Sequence, residues 1–303
     1  MNGILVVDKP SGCTSHDVVQ RVRRAVGQRS VGHAGTLDPL ATGVLVVALG
    51  EATKLVSYLQ LDDKRYDATI ALGTETDSLD ADGEVVAKAD VPALDRDAVE
   101  AVLQRFLGRH PQKAPDLSAI KVGGTPLHRR ARRGEQVQAP VREVDLYEAK
   151  VVSLNQERLR LHLHCGKGFF VRSLARDLAR ALGTLGHVES LRRTSSGTFS
   201  LDDALGTDEL SREAIAARLI PMRKACEVLQ RVDLTEQGTL DARHGRPIAP
   251  EVIVGTAWRD VSVGEPLALF GPDGEPVALG RRGEDGIRVV RGFTAAASDV
   301  ISP

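Results

Sequence analysis

The chain has 303 residues, of which 42% are hydrophobic and 27% charged, and its formal net charge is −1. This length and composition predict a globular protein of about two domains, and no apolar run approaches the ~20 residues that a membrane helix needs. The N-terminus reaches an acid and a proline after only four apolar residues, unlike a signal peptide. The three cysteines, Cys13, Cys165 and Cys226, are far apart and odd in number, so we expect reduced thiols and a cytoplasmic location.

The first half of the chain shows alternating strand and helix signals. We predict a strand at 4–7, a helix at 15–26, a strand at 44–49, a helix at 51–61 and a strand at 65–72. Ser15 is the expected cap of the first helix and Gly27 its stop, and the pair Asp82-Gly83 indicates a hairpin turn.

The second half begins with a predicted helix at 94–107, followed by strands near 143–153 and 158–165 and helices at 171–182 and 208–219. After residue 230 short β-like runs alternate with turns. Because the strands and helices lack regular βαβ alternation, we expect an α+β fold. The change of character predicts a first domain at 1–230 and a small β-rich domain at 231–303.

Charge is distributed unevenly. Residues 62–100 contain twelve acidic and four basic side chains, whereas residues 105–133 contain eight basic and one acidic. A group of four arginines, called here the basic cluster, lies in the second segment and consists of Arg129, Arg130, Arg132 and Arg133. If this stretch is helical, the cluster presents one basic side to phosphates, although a solvated basic helix has the same pattern.

The segment VGHAGTLDPLATGVLVVALG, residues 31–50, is the most informative part of the chain. It places Asp38 in a loop with Gly32, Gly35 and Pro39, directly before the apolar run 44–49. A buried strand there would hold the carboxylate on rigid backbone, as positioned chemistry requires, whereas the alternative is an exposed Asp-Pro turn. No second carboxylate or metal set accompanies Asp38, which favours a reaction that needs one anion and no activated water.

Two further side chains are candidates for the same site. Tyr66 lies on a predicted strand, where a half-buried structural tyrosine is the alternative. Arg172 follows the aromatic pair that ends in Phe170, at the start of a predicted helix. An arginine beside apolar neighbours often pairs with a buried acid, and Asp38 is the partner we propose; a solvated helix residue is the alternative.

Histidines offer one binding candidate and one weak metal candidate. His33 follows a glycine in the Asp38 loop, where it can face a ligand or simply hydrogen-bond within the loop. His162 and His164 would share one face of a strand while Cys165 points to the other, and no second ligand pair stands at zinc spacing. We therefore predict no metal site.

Seven ordered motifs are spread over about residues 3–200: GILVVDKPSGCTSHDVV, VGHAGTLDPLATGVL, GEATKLVSYL, KRYDATIALGTETDSLDADG, SAIKVGG, KGFFVRSLARDLARALG and HVESLRRTSSGTF. Together they resemble the TruB family of bacterial tRNA pseudouridine synthases. The large-subunit rRNA pseudouridine synthases share only a looser aspartate motif and lack GTLDPLATGVL.

The resemblance implies a mixed-sheet α+β catalytic domain and a small PUA-like RNA-binding domain at the C-terminus. It implies isomerisation of uridine 55 in the tRNA T loop, without a cofactor or a metal. The partner would be the T arm of tRNA, gripped by a loop at 108–142. We expect no membrane, no obligate protein partner and a monomer.

The family's functional roles fall on matching positions of this sequence. Asp38 would be the catalytic aspartate, Tyr66 would stack on the target base and serve in proton transfer at its carbon 5, and Arg172 would pair with Asp38. His33 would help to hold the T loop, and Leu191 would line the base pocket.

Two positions depart from the family pattern. Phe170 stands where the family usually has tyrosine, so only packing or stacking remains there, and Leu117 replaces a tyrosine before Ser118. Two other functions remain open at this stage: a tRNA-binding chaperone whose catalysis is dispensable, and an rRNA-directed isomerase.

Overall fold

Helices are short in this protein, whose computed structural model describes residues 1–118, 120–122, 125–126 and 139–294. Single turns of 3₁₀ helix extend or link several of them, and none of the described helices is long and apolar enough to cross a membrane. The described α-helices are α1 (Ser15–Val26), α2 (Val56–Leu59), α3 (Arg96–Leu103), α4 (Val171–Ala181), α5 (Arg212–Arg218), α6 (Met222–Ala225) and α7 (Glu236–Arg243).

Two sheets contain most of the described strands. The strands up to residue 221 are β1 (Gly3–Lys9), β2 (Val31–Ala34), β3 (Thr42–Leu49), β4 (Lys64–Leu72), β5 (Thr74–Thr76), β6 (Val85–Lys88), β7 (Gly108–Lys113), β8 (Lys121–Val122), β9 (Thr125–Pro126), β10 (Val141–Leu154), β11 (Arg158–Cys165), β12 (Gly186–Ser196), β13 (Phe199–Ser200), β14 (Ala204–Gly206) and β15 (Ile220–Pro221). The remaining strands are β16 (Gln230–Leu234), β17 (Ile253–Val254), β18 (Pro266–Phe270), β19 (Pro276–Arg282) and β20 (Ile287–Gly292).

Within the described residues the larger sheet has eleven strands, in the order β14-β1-β3-β12-β4-β11-β10-β7, with β2 on β3, β13 on β12 and β15 on β1. The second sheet has five strands in the order β17-β16-β18-β19-β20. The larger sheet is mixed, since β1 pairs with β14 and β3 with β12 in parallel while its other pairs are antiparallel. The predicted α+β class, with a β-rich C-terminal part, is confirmed.

Strands β1 and β3 are buried on both faces, which explains their continuous apolar sequences. On one face Leu5 and Val47 belong to a core that also contains apolar residues of α1 and α4. On the other face Ile4 and Val46 pack in a core with Phe270 and other residues of the second sheet. Alternate residues of one strand therefore serve two cores.

The N-cap of helix α1 lies one residue before the residue that we predicted. The cap is Thr14, whose side chain accepts from the Asp17 backbone in a capping box, and Gly27 ends the helix in the left-handed region as expected. Ser15, the predicted cap, instead turns its hydroxyl toward the backbone of Leu37.

Several other predictions are wrong in extent. The helix expected at 51–61 is a 3₁₀ segment, Gly50–Leu55, followed by the single turn α2. The helices predicted at 94–107 and 208–219 are shorter in the structure, where they correspond to α3 and α5. Strand β12 was not predicted, because its alternation is interrupted by consecutive polar residues. His33 lies in strand β2 rather than in a loop, since residues 31–34 pair with β3.

Candidate active site

The loop that carries Asp38 connects β2 to β3 and is fastened from two sides. The Ser15 hydroxyl accepts from the Leu37 amide at 2.8 Å and donates to the Leu37 carbonyl at 2.9 Å. The carbonyl of Pro39 accepts from the Gly12 amide at 3.0 Å and from the buried Lys9 ammonium at 3.2 Å. The residues on both sides of Asp38 are therefore fixed, and the exposed-turn alternative is excluded because Asp38 lies in a cleft.

Arg172, the second residue of α4, meets Asp38 across this cleft. Its Nη2 donates to Asp38 Oδ1 at 3.2 Å, and its Nε lies 2.9 Å from Oδ2. Its Nη1 donates to the Ser78 carbonyl at 2.8 Å and lies 3.5 Å from the buried carboxylate of Asp80. The guanidinium is buried between two carboxylates, which excludes the solvated-helix alternative and fixes the orientation of Asp38.

The structure brings Tyr66, Phe170 and Leu191 together with Asp38 and Arg172 around a cavity of about 360 Å³. Tyr66 and Leu191 come from the neighbouring strands β4 and β12, and Phe170 precedes α4. The backbone of Phe170 is held by two hydrogen bonds to the amide of the buried side chain of Gln112, at 2.8 and 3.1 Å. A carboxylate and an arginine thus face a pocket with apolar and aromatic walls, within the size range of small-molecule sites.

Sequence reasoning missed two cations of this cavity, Lys64 and Arg193. Arg193 is only 1% exposed and donates from Nε to the Val44 carbonyl at 2.7 Å and from Nη2 to the Gly35 carbonyl at 3.0 Å. A strand prediction for 186–196 would have placed Arg193 two residues from Leu191 on the same face. Arg193 was missed because the sequence pattern did not predict this strand.

Burial dominates the electrostatics of the site. It raises the pKa of Asp38 above the ordinary aspartate value, a shift that the Arg172 and Lys9 charges oppose and the Asp80 charge reinforces. Burial also raises the pKa of Tyr66, while the charge of the nearby Arg193 guanidinium acts in the opposite direction. The pKa of Lys64 is lowered by burial and then by the nearby Arg193.

Two family models match consecutive parts of the chain. The TruB family pseudouridylate synthase N-terminal domain matches residues 23–171, and the tRNA pseudouridylate synthase B C-terminal domain matches residues 172–231. The tRNA pseudouridine synthase B of Xanthomonas axonopodis pv. citri (strain 306) is 41% identical over 293 residues, which cover 94% of this chain and 92% of that protein. The chain belongs to the TruB family.

Other relatives and solved structures agree with this membership. The tRNA pseudouridine synthase B of Thermobifida fusca (strain YX) is 41% identical over 286 residues, covering 92% of this chain and 94% of that protein. A crystal structure of a Cbf5-Nop10-Gar1 complex contains a chain with a TM-score of 0.73 and 26% identity, and the match covers 96% of the present chain and 84% of that one. A structure of an H/ACA RNP bound to a substrate RNA containing 2′-deoxyuridine gives a TM-score of 0.71 at 25% identity, covering 96% and 85%.

His33, in β2, precedes the loop that carries Asp38, but it lines a different cavity. That second cavity, of about 550 Å³, is also lined by Asp38 and Arg172, together with His16 and Asp80. Burial lowers the pKa of His33, and the Arg193 charge adds to this effect. His33 is thus adjacent to the carboxylate, although it does not line the cavity that contains Tyr66.

Among the remaining sequence-based candidates, Cys165 lines the cavity of Asp38 and Tyr66, whereas His162 and His164 do not. The basic cluster lies outside the described residues, and the segment 108–142 is described only in part. His162 pairs with Asp67 and His164 with Asp63, and burial raises the pKa of the Cys165 thiol to about 12. Across the described ranges no group of three His, Cys, Asp or Glu side chains could hold a metal ion.

Proposed function

We propose that this TruB-family protein converts uridine 55 in the T loop of tRNA to pseudouridine, with Asp38 as the catalytic carboxylate. The observation that carries the proposal is the meeting of Asp38, Arg172 and Tyr66 around a single partly apolar cavity. Near-full-length relatives named tRNA pseudouridine synthase B support the choice of tRNA as the substrate.

The reaction explains why one carboxylate is sufficient. Uracil must leave C1′ through N1, turn, and rejoin through carbon 5, so no atom is gained or lost. A single anion beside the ribose can assist, either by adding to C1′ or by removing a proton from C2′, and both routes use Asp38 in its ionised form. Arg172 favours that form by its charge and holds both carboxylate oxygens in place.

The walls of the cavity suit a base that is detached during the reaction. Tyr66 would stack on the uracil ring and serve in proton transfer at carbon 5. Leu191 and Phe170 would exclude water, so that the base stays trapped beside the sugar until the new bond forms. To reach this position the nucleotide must be flipped out of the T loop, which costs a few kcal/mol of lost stacking.

Contacts to the folded T arm would offset that cost. In this proposal residues 1–230 form the catalytic domain, and residues 231–303 bind RNA. The loop at 108–142 clamps the arm, and the basic cluster contacts its phosphates. His33, at the second cavity beside Asp38, would hold the T loop around the flipped nucleotide. Such recognition is mainly of shape and backbone.

The test is site-mapped pseudouridine formation on an unmodified tRNA transcript with wild type, Asp38→Asn and the control Asp97→Asn, which changes an exposed residue of α3. We expect conversion at position 55 by wild type and the control, and none by Asp38→Asn, although that variant still binds tRNA. Conversion by Asp38→Asn at the wild-type rate refutes the catalytic assignment. Tight tRNA binding by a wild-type protein that converts nothing indicates the chaperone, and conversion of rRNA alone indicates the rRNA-directed enzyme.

A further inference from the structure

Arg193 is the largest of the side chains that are almost completely buried in the described structure. It extends from β12 and donates to two backbone carbonyls, those of Val44 on β3 and of Gly35 in the loop that carries Asp38. It also lies directly opposite Tyr66 on β4, and both side chains line the cavity. One side chain therefore connects Tyr66 to the Asp38 loop.

The charge of Arg193 is not neutralised as the charge of Arg172 is. Arg172 lies within 4 Å of two carboxylates, Asp38 and Asp80, whereas no carboxylate of the described residues lies within that distance of Arg193. A buried cation that faces only neutral oxygens is costly to the fold, and such a cost points to a function.

A second cation stands on the same side of the cavity. Lys64 precedes Tyr66 by two residues on β4, so that both side chains share one face of the strand, and its ammonium donates to the backbone carbonyls of Gln60 and Asp62. The wall of the cavity around Tyr66 is therefore positive, while the carboxylate of Asp38 is held by its own arginine.

We propose that Arg193 is a positioning residue that acts through the Tyr66 hydroxyl to stabilise the negative charge that the uracil acquires during the reaction. This inference rests on the proposed function. When the C1′–N1 bond breaks, its electron pair stays with the base and is shared with the two carbonyl oxygens. The pair at C1′ is restored by carbon 5, which gives up its proton as N1 takes one, so no outside reactant is needed.

Fixed donors aimed at developing charge typically contribute 10²–10³-fold to a rate. For Arg193→Met we therefore expect a roughly 100-fold lower single-turnover rate constant for pseudouridine formation, with the Kd for tRNA within twofold of wild type. Arg193→Lys, which keeps the charge without the planar fork, should lose only part of the rate. Arg192→Met is the matched control, because Arg192 points to the opposite face and pairs with Asp8; its rate should stay within twofold of wild type.

A double-mutant cycle with Tyr66→Phe tests whether Arg193 acts through the hydroxyl. We expect Arg193→Met to cost much less in the Tyr66→Phe background than in wild type. An equal loss in both backgrounds overturns the inference, as does a folded Arg193→Met variant whose rate is within threefold of wild type. If Arg193→Met does not fold, the same cycle with Arg193→Lys decides in the same way. An inactive wild type refutes the proposed function itself, whereas an active wild type with an equally active Arg193 variant refutes only this inference.

Discussion

Removal of the Ser15 hydroxyl is the most direct test of how the fold holds Asp38. Ser15 is the first residue of α1, and its hydroxyl makes both a donor and an acceptor bond to the backbone of Leu37, at 2.9 and 2.8 Å. Both residues are buried, so the two bonds are shielded from water. Ser15→Ala removes one oxygen atom and leaves the amide and the carbonyl of Leu37 without these partners.

The magnitude follows from those two bonds. A buried polar group that loses its partner costs about 1–3 kcal/mol, so the loss of two partners should lower the free energy of unfolding by about 2–6 kcal/mol. Asp38, the proposed catalytic carboxylate, is the next residue, and a displacement of about 1 Å in a reacting group can lower a rate about 100-fold. We therefore expect a joint loss of stability and of rate.

The assay combines urea unfolding with single-turnover pseudouridine formation under conditions where the variant is folded. The matched control is Ser211→Ala, which removes the N-cap of α5, a bond of 3.0 Å to the Ala214 amide, and should cost about 1 kcal/mol without any change of rate. The reasoning is refuted if Ser15→Ala is no less stable than Ser211→Ala and reacts within twofold of wild type.

Four further predictions follow from the same structure. Because burial raises the pKa of Asp38 and the proposed reaction uses its ionised form, kcat/KM should fall as the pH drops through a value above that of ordinary aspartate. A pH–rate profile that stays flat down to the ordinary value contradicts this. Arg172→Met removes the cation that opposes this shift, so the acid limb should move to higher pH, and stability should fall by about 3–5 kcal/mol because Asp80 is left buried without its partner; an unmoved limb would show that Arg172 does not tune Asp38. Alanine substitution of the basic cluster should weaken tRNA binding and reduce its salt dependence. If the dependence of the tRNA binding constant on salt concentration is unchanged, the cluster does not contact phosphates and is only a solvated basic surface. Phe270→Ala, at the junction of the two sheets, should lower the free energy of unfolding by about 3–5 kcal/mol; a loss below about 1 kcal/mol in denaturant unfolding would show that the sheets do not share a core.

Local patterns in the sequence predicted the elements whose signals are short-range. Helix α1 has its apolar spacing and its glycine stop within thirteen residues, and β3 contains the uninterrupted apolar run 44–49, so both were predicted to within two residues. Strand β12 was not predicted, because charged residues on its outward face stand next to inward-facing Arg193 and hide the alternation of apolar and polar residues. The cap of α1 was assigned to Ser15 because Thr14 and Ser15 are both good caps, and only the distant contact with Leu37 separates their roles.

The sequence by itself determined the α+β class and the family, and it singled out Asp38 as the candidate acid, because these inferences depend on ordered motifs and local spacing. Tertiary structure decided which side chains act on that acid, since Arg172 is 134 residues from Asp38 along the chain. It also revealed Arg193, whose contacts come from three separate segments. The physical reason is that strand pairing brings distant residues together, and the burial that shifts the pKa of Asp38 and Tyr66 arises only when those strands are packed.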